Sequence, residues 1–115
     1  MAPTETDRLR HMRDAAIAAL RFIQGRGRPD LDSDAMLTFA LIRAVEIIGE
    51  AATRLPGTVR DAHPEIPWGQ IVGMRNRLVH GYYDVDLDVL WATVSTNLAT
   101  LIAALDAMLS PPAGP

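Results

Sequence analysis

One short stretch of the chain, residues 75–83, carries side chains that can exchange protons and bind anions. On a helical wheel an arginine, an amide, an imidazole and a phenol fall beside one another: Arg75, Asn76, His80 and Tyr83. An imidazole that titrates near neutral pH can give or take a proton, and a guanidinium binds carboxylate or phosphate through paired hydrogen bonds. This cluster is therefore the candidate functional site.

Arg75 is unusual because it lies in the middle of an apolar arc of the same predicted helix. The other residues of that arc are Ile71, Val72, Leu78 and Val79. A guanidinium keeps its proton in proteins, so a buried Arg75 needs an acidic partner, an anionic ligand or a wet interface. Local chemistry leaves a structural interpretation open. In it, Arg75 pairs with Glu46 or Glu50 and only fixes the register of the helices, and His80 only stabilises the negative end of the helix dipole at a helix C-terminus.

The spacing of the apolar residues predicts an all-α fold, a single-domain bundle of four to five helices. The predicted helices cover residues 7–24, the stretch from a cap at Ser33 or Asp34 to Pro56, a short turn at 58–63, residues 68–80 up to Gly81, and the stretch from a cap at Asp84 or Asp86 to residue 109. We expect residues 1–109 to form the domain and residues 110–115 to be a disordered tail.

The predicted helices have two further features that bear on packing. Four charged residues of the second long helix form one narrow face that meets water, a partner or a site: Arg43, Glu46, Glu50 and Arg54. Glycines also occur inside helices, at Gly49, Gly69 and Gly73. A glycine in a helix costs about 1 kcal/mol relative to alanine, so we expect all three to permit close contact between helices.

Composition excludes several function classes. The chain has no cysteine, which removes disulfides, thiolate zinc sites and thiol nucleophiles. The first residues do not read as a signal peptide and no apolar run approaches the length of a bilayer crossing, so we expect a soluble, cytoplasmic protein with no membrane partner. The net charge of -3 gives no general attraction to nucleic acid, so a nucleic-acid function needs a local positive site.

Metal chemistry has little support in the residue pattern. His11 and His63 are far from His80 in sequence, and no carboxylates accompany them at ligand spacing. The alternating aspartates at 84–88 lack the glycine and the distal glutamate of a calcium loop, so capping and solvation account for them. We therefore predict no metal and no cofactor.

Residues 75–82 have the form R-x4-H-x-Y with a polar residue directly after the arginine, and this segment resembles the HepT-like branch of the HEPN superfamily of ribonucleases. R-x4-H alone is a weak pattern. The resemblance extends through residues 7–12, 46–52, 63–68, 73–74 and 85–87, and it covers nearly the whole chain up to about residue 109. Every motif position is matched.

The resemblance implies a compact helical bundle that dimerises, with the R-x4-H segments of two subunits facing each other across a cleft. The family's catalytic arginine and histidine fall on Arg75 and His80, and Asn76 matches the polar residue that supports them. Two copies of Arg75 and Arg77 in one cleft would provide the local positive charge that an acidic protein otherwise lacks.

A site of this kind would cleave RNA without a metal ion. His80 of one subunit would take the proton of a 2′-hydroxyl, its copy would protonate the leaving 5′-oxygen, and Arg75 would neutralise the phosphate. A division in which His80 positions the hydroxyl and Arg75 carries most of the stabilisation fits equally well. Because the 2′-hydroxyl is required, DNA is not a substrate, while transfer RNA and messenger RNA both remain candidates.

The resemblance also implies a partner protein. In HepT-like toxins a cognate minimal nucleotidyltransferase antitoxin adds AMP to the tyrosine of H-x-Y, which here is Tyr82, and the added charge and bulk would block the cleft. One alternative is a non-catalytic nucleotide- or substrate-binding subunit that partners a nucleotidyltransferase. A nucleotide pyrophosphohydrolase is a weaker one, because Glu46 and Glu50 alone give too few magnesium ligands.

Overall fold

The computed structural model describes residues 4–81 and 85–110, and for residues 78–81 it describes the backbone alone. Within these ranges the chain is helical and contains no strand: α1 (Glu5–Phe22), α2 (Asp30–Ser33), α3 (Ala35–Thr53), α4 (Gly57–Asp61), α5 (Trp68–Gly81), α6 (Leu87–Ala92), a π-helical turn (Thr93–Asn97) and α7 (Leu98–Leu109). The prediction of an all-α bundle is confirmed.

Short polar side chains set where three of the helices begin. The Thr4 hydroxyl accepts a hydrogen bond from the backbone of Asp7, whose carboxylate accepts one from the backbone of Thr4 in return. Asp34 caps α3 by accepting from the Leu37 amide at 3.1 Å, and Asp86 caps α6. These caps satisfy backbone donors that have no partner inside their helices.

The bundle is organised around α1, which packs against both α3 and α7, while α5 packs against α3. The side chains that are almost wholly removed from solvent come from α1, α3, the loop after α4 and the last helix: Met12, Leu41, Ile48, Ile66, Leu90, Val94, Leu98, Leu101 and Leu105. No comparable packing joins α5 to α6 or α7 in the described ranges. One side of the bundle is therefore open.

The last helix, Leu87–Leu109, contains the π-helical turn. The Thr93 hydroxyl donates to the carbonyl of Val89 at 2.8 Å, and the Ser95 hydroxyl donates to the carbonyl of Trp91 at 2.7 Å. Hydroxyls that bond back to carbonyls four residues earlier compete with the backbone amides and distort helices. The two hydroxyls therefore account for a widened turn at this point.

By length and composition alone, Leu87–Leu109 is a 23-residue helix apolar enough to cross a bilayer. The prediction that no apolar run approaches this length was therefore wrong. One face of this helix is buried in the bundle, through Leu90, Val94, Leu98, Leu101 and Leu105. This buried face shows that part of its apolar character forms the core.

The structure settles most of the predicted helix boundaries. Of the alternative caps, Asp34 and Asp86 are the ones observed. Gly81 was predicted to end its helix but is still helical, and the turn predicted at 58–63 is α4. Helix α2 and the π-helical turn were not predicted. Residues 111–115 of the predicted tail lie outside the described residues, and the domain limits stay a prediction.

Candidate active site

Arg75 lies on the side of α5 that packs against α3. Its Nη2 donates to Glu50 Oε2 at 2.5 Å, and its Nη1 donates to Asn76 Oδ1 at 3.0 Å. The Arg75 side chain is 26% exposed, so the guanidinium lies at the rim of the bundle and keeps contact with solvent. Of the two acidic partners considered from the sequence, Arg75 bonds to Glu50 and not to Glu46 in the described part of the chain.

Gly49 brings the two helices close enough for this ion pair. A Cβ placed at Gly49 would lie 2.2 Å from the Cβ and 2.8 Å from the Cγ of Arg75, and 3.2 Å from the carbonyl oxygen of Ile71. Carbon atoms prefer separations of about 3.5–4.0 Å, so a larger residue here would push α5 away from α3. The expected close contact is confirmed at Gly49. It was wrong for Gly69 and Gly73, where a Cβ would meet no atom of the described residues within 4 Å.

Glu50 is shared by two arginines. Its Oε2 accepts from Arg75, and its Oε1 accepts from Arg54 Nη2 at 3.2 Å. The hydrogen bond from Arg75 holds the pKa of Glu50 below its ordinary value; partial burial opposes this, and the charges of Arg75 and Arg54 add to it. Glu50 is thus ionised at neutral pH. With two guanidinium groups around one carboxylate, the cluster keeps a net positive charge.

The remaining predicted catalytic residues lie toward the C-terminal end of α5. His80 belongs to the last turn of this helix, five residues after Arg75, and Asn76 lies between them around the helix axis. Five residues of α-helix correspond to about 7.5 Å along the axis and about 140° around it. Tyr82 lies outside the described residues. The catalytic roles of Arg75 and His80, the supporting role of Asn76 and the modification of Tyr82 stay predictions.

Arg77 lines a different side of α5 from the one that holds Arg75. It lines a groove of about 530 Å³ between α5 and the last helix, which we call the α5 groove. The groove is lined by polar residues and glycines together with three apolar residues: Gly69, Gln70, Gly73, Met74, Arg77, Val89, Ala92, Thr93 and Asn97. Within one subunit Arg75 and Arg77 therefore lie on different sides of α5, and the prediction that two copies of both residues share a cleft between subunits stays a prediction.

The polar residues of the α5 groove, Gln70 and Asn97, were not identified from the sequence. The signal that indicates this face is the four-residue spacing of Gly69, Gly73 and Arg77, which places all three on one side of α5. Asn97 has no comparable signal, because its position depends on how the last helix lies against the rest of the bundle.

The other histidines have local partners or lie at the surface. His63 Nδ1 is 3.1 Å from Glu65 Oε1, and its carbonyl accepts a hydrogen bond from the Trp68 indole at 3.0 Å. His11 is exposed on α1. Among the residues that the structure describes, no three histidine, aspartate or glutamate side chains come together as a metal site.

Comparison with known proteins gives consistent matches. The profile of a family described as Ribonuclease HepT-like matches residues 12–108. A protein from Thermococcus cleftensis named "Probable ribonuclease HepT" is 46% identical over 72 residues, which are 63% of this chain and 66% of that protein. A protein from Caldanaerobacter subterraneus named as a candidate RNase is 34% identical over 93 residues, which are 81% of this chain and 83% of that protein. No solved structure gives a significant match.

Proposed function

The chain belongs to the HepT-like ribonuclease family, and on that premise we propose that it is an RNA endonuclease. The observation that carries the proposal is that Arg75 is held at the rim of the bundle by Glu50, inside a matched region that contains the whole R-x4-H segment. A fixed guanidinium at a partly exposed position can bind a phosphate without first being reorganised.

The proposed reaction needs no metal ion. One imidazole takes the proton of the 2′-hydroxyl, the 2′-oxygen attacks the adjacent phosphorus, and the bond to the 5′-oxygen breaks as that oxygen receives a proton. The products are a 2′,3′-cyclic phosphate and a 5′-hydroxyl. His80 and its copy in a second subunit would exchange the protons, Arg75 would neutralise the phosphorane oxygens, and Asn76 would support Arg75 through the hydrogen bond at 3.0 Å.

A second copy of the chain would complete this site. Met36 is 83% exposed and Phe39 is 64% exposed, and both share one arc of α3 with Glu46 and Glu50. Large apolar side chains that lie in solvent beside a polar cluster are typical of protein interfaces. We propose that this face is covered in a homodimer, which would bring the two R-x4-H segments together and double the local positive charge.

We further propose that the enzyme is the toxin of a toxin–antitoxin pair in the cytoplasm. Family membership supports this proposal, together with Tyr82 two residues after His80, where a minimal nucleotidyltransferase antitoxin would attach AMP. An adenylate there would bring negative charge next to the position of the RNA phosphate, so that repulsion and bulk would prevent binding. The RNA substrate would be a transfer RNA or a messenger RNA.

One observation favours a second candidate function, a non-catalytic subunit that partners a nucleotidyltransferase. Both Nη atoms of Arg75 already make hydrogen bonds within the subunit, to Glu50 and to Asn76, as a purely structural arginine would. Expression in cells separates the two functions. A toxin arrests growth and its His80→Ala variant does not, whereas a binding subunit and its variant behave alike.

Cleavage by the purified protein tests the nuclease proposal directly. We expect the full-length protein to cut single-stranded RNA in excess EDTA, to leave cyclic phosphate ends and to spare DNA of the same sequence. His80→Ala should lower the rate by about 10²- to 10⁴-fold. The matched control is His11→Ala on the exposed surface of α1, which should cleave like the wild type. Intact RNA with the wild type, or equal rates with His80→Ala, would refute the proposal.

A further inference from the structure

The α5 groove is large enough to hold part of a nucleic-acid strand. Its volume of about 530 Å³ lies within the range of about 300–1,000 Å³ that small-molecule sites occupy. From Gly69 to Arg77 the helix rises by about 12 Å, at 1.5 Å per residue. The groove is therefore an elongated site along the surface of α5 and not an enclosed cavity.

The groove stays open because of the bundle's packing and because of its glycines. Helix α5 packs on α3 while the last helix packs on α1, so the two walls of the groove are held by different neighbours. Gly69 and Gly73 contribute no side chain, and in the described part of the chain a Cβ at either position would meet nothing within 4 Å. At these two positions a ligand can approach the helix backbone closely.

The polar lining of the groove matches the chemistry of RNA. Arg77 is a cation that can bind a phosphate, and the carboxamides of Gln70 and Asn97 can each donate and accept hydrogen bonds at a base edge. Among the described residues, no carboxylate lines the groove. Asp86 lines an adjoining recess, where its carboxylate accepts from the backbone amides of Asp88 and Val89.

The end of the groove at Arg77 adjoins the R-x4-H segment. Arg77 lies two residues after Arg75 and three before His80 in the same helix. Because Arg77 and His80 are only about 60° apart around the helix axis, a single strand whose scissile phosphate lies at His80 can continue past Arg77 into the groove. Sequence-selective proteins usually read such unpaired nucleotides through the edges of their bases.

We propose that the α5 groove binds the nucleotide one step beyond the two that the scissile phosphate joins, with Arg77 on its phosphate and Gln70 and Asn97 on its base. This inference rests on the proposed ribonuclease function and deepens it, because it assigns to these residues the choice of sequence beside the cut. The groove is then a specificity site that is separate from the groups that perform the reaction.

The test compares a single-stranded RNA oligonucleotide with a dinucleoside monophosphate, which has the scissile bond and no further phosphodiester to enter the groove. We expect Gly73→Leu, which fills the groove, and the double variant Gln70→Ala/Asn97→Ala to raise KM about tenfold for the oligonucleotide and to change the preferred flanking base. Their kcat/KM for the dinucleotide should stay at the wild-type value. Arg77→Ala should also reduce the salt dependence of RNA binding by a slope of about 1.

Arg21→Ala, which removes an exposed arginine from α1, is the charge-matched control and should behave as wild type with both substrates. If both groove variants keep the wild-type KM and the wild-type base preference, the inference is overturned while the proposed nuclease function stands. Equal losses on both substrates would also overturn the inference. A change of the groove variants from dimer to monomer in sedimentation would overturn it as well, because the groove would then be a protein interface.

If the wild type cuts neither substrate, the proposed function fails. Fluorescence anisotropy with labelled RNA then decides the groove alone: weaker binding by Arg77→Ala supports it and unchanged binding refutes it.

Discussion

The two sides of helix α5 differ in how closely they approach their neighbours. On one side, Gly49 of α3 lies so near Arg75 that a single added carbon would come within 2.2 Å of it. On the other side, none of the described residues comes close to a Cβ placed at Gly69 or Gly73, and α5 is separated from the last helix by a groove. Glycine thus permits close helix packing on one side of α5 and leaves an open groove on the other side.

The two sides of α5 therefore serve different purposes, although both belong to one short helix. The packed side fixes the direction of a guanidinium, because Glu50 and the Gly49 contact leave Arg75 little freedom. The open side keeps surface for a ligand that arrives from solvent. Changes to the packed side should therefore alter the orientation of reacting groups and the stability of the fold, whereas changes to the open side should alter binding.

The largest effect is expected for Gly49→Ala. The new methyl group cannot fit against the Cβ of Arg75 and the backbone of Ile71, so α5 must move away from α3. Overpacking of this kind costs about 1–3 kcal/mol, and a displacement of about 1 Å in a catalytic group can lower a rate by about 100-fold. We expect lower stability in urea unfolding and a loss of RNA cleavage by at least tenfold.

The matched control for Gly49→Ala is Ala51→Gly in the same helix. This substitution lowers helix propensity by about 1 kcal/mol and leaves the contact between Gly49 and Arg75 untouched. It should destabilise the protein while cleavage in native buffer stays near the wild-type rate. Should Gly49→Ala keep both its stability and its activity, the close approach does not position Arg75 in solution.

A smaller loss of stability is expected for Glu50→Gln, and this loss should depend on pH. The pKa of Glu50 is lower in the folded protein than its ordinary value of 4.5, chiefly through the hydrogen bond from Arg75. The stabilisation from the ion pair is therefore fully present above pH 4.5 and is lost as the pH falls through the folded pKa. Because the Glu50 side chain is 44% exposed, solvent screening limits the effect to about 1 kcal/mol or less.

The measurement is the free energy of unfolding in urea at neutral pH and at several values below pH 4.5. The difference between wild type and Glu50→Gln should be largest at neutral pH and should shrink on acidification. Glu46→Gln is the control, since Glu46 lies on the same polar face of α3 and is not bonded to Arg75 among the described residues. A difference that is constant over the whole pH range would show that the charge of Glu50 contributes nothing.

Much of this arrangement is visible in the sequence, and the remainder depends on distances between helices. Periodicity predicts α1, α3, α5 and the last helix, because apolar residues recur at helical spacing in each of them. It cannot choose between Glu46 and Glu50 for Arg75, since both lie on one face of α3 and the choice depends on how α5 is placed along it. The Gly49 contact fixes that placement.

The α5 groove shows more clearly that a sequence does not determine the distances between helices. The spacing of Gly69, Gly73 and Arg77 defines a face of α5, but a face is a groove only if the neighbouring helix lies at a distance. The sequence alone predicts close packing at all three helical glycines, because close helix contact is the usual reason for a glycine in a helix. Whether Gly49 or Gly73 is crowded depends on the partner opposite, and one helix considered alone does not contain that information.

The smallest effect is expected for Gly73→Ala, which should stabilise the protein. A methyl group at Gly73 meets no atom of the described ranges within 4 Å and lies in the interior of α5, so it costs no packing energy and restricts the unfolded chain. The expected gain is about 0.5 kcal/mol in urea unfolding. Gly25→Ala is the control, because that position is equally open but has a φ of 71°, where an L-amino acid is strained, and it should lose stability instead. A loss of stability in Gly73→Ala would mean that the groove is closed in solution, because only a nearby atom could make the methyl group unfavourable there.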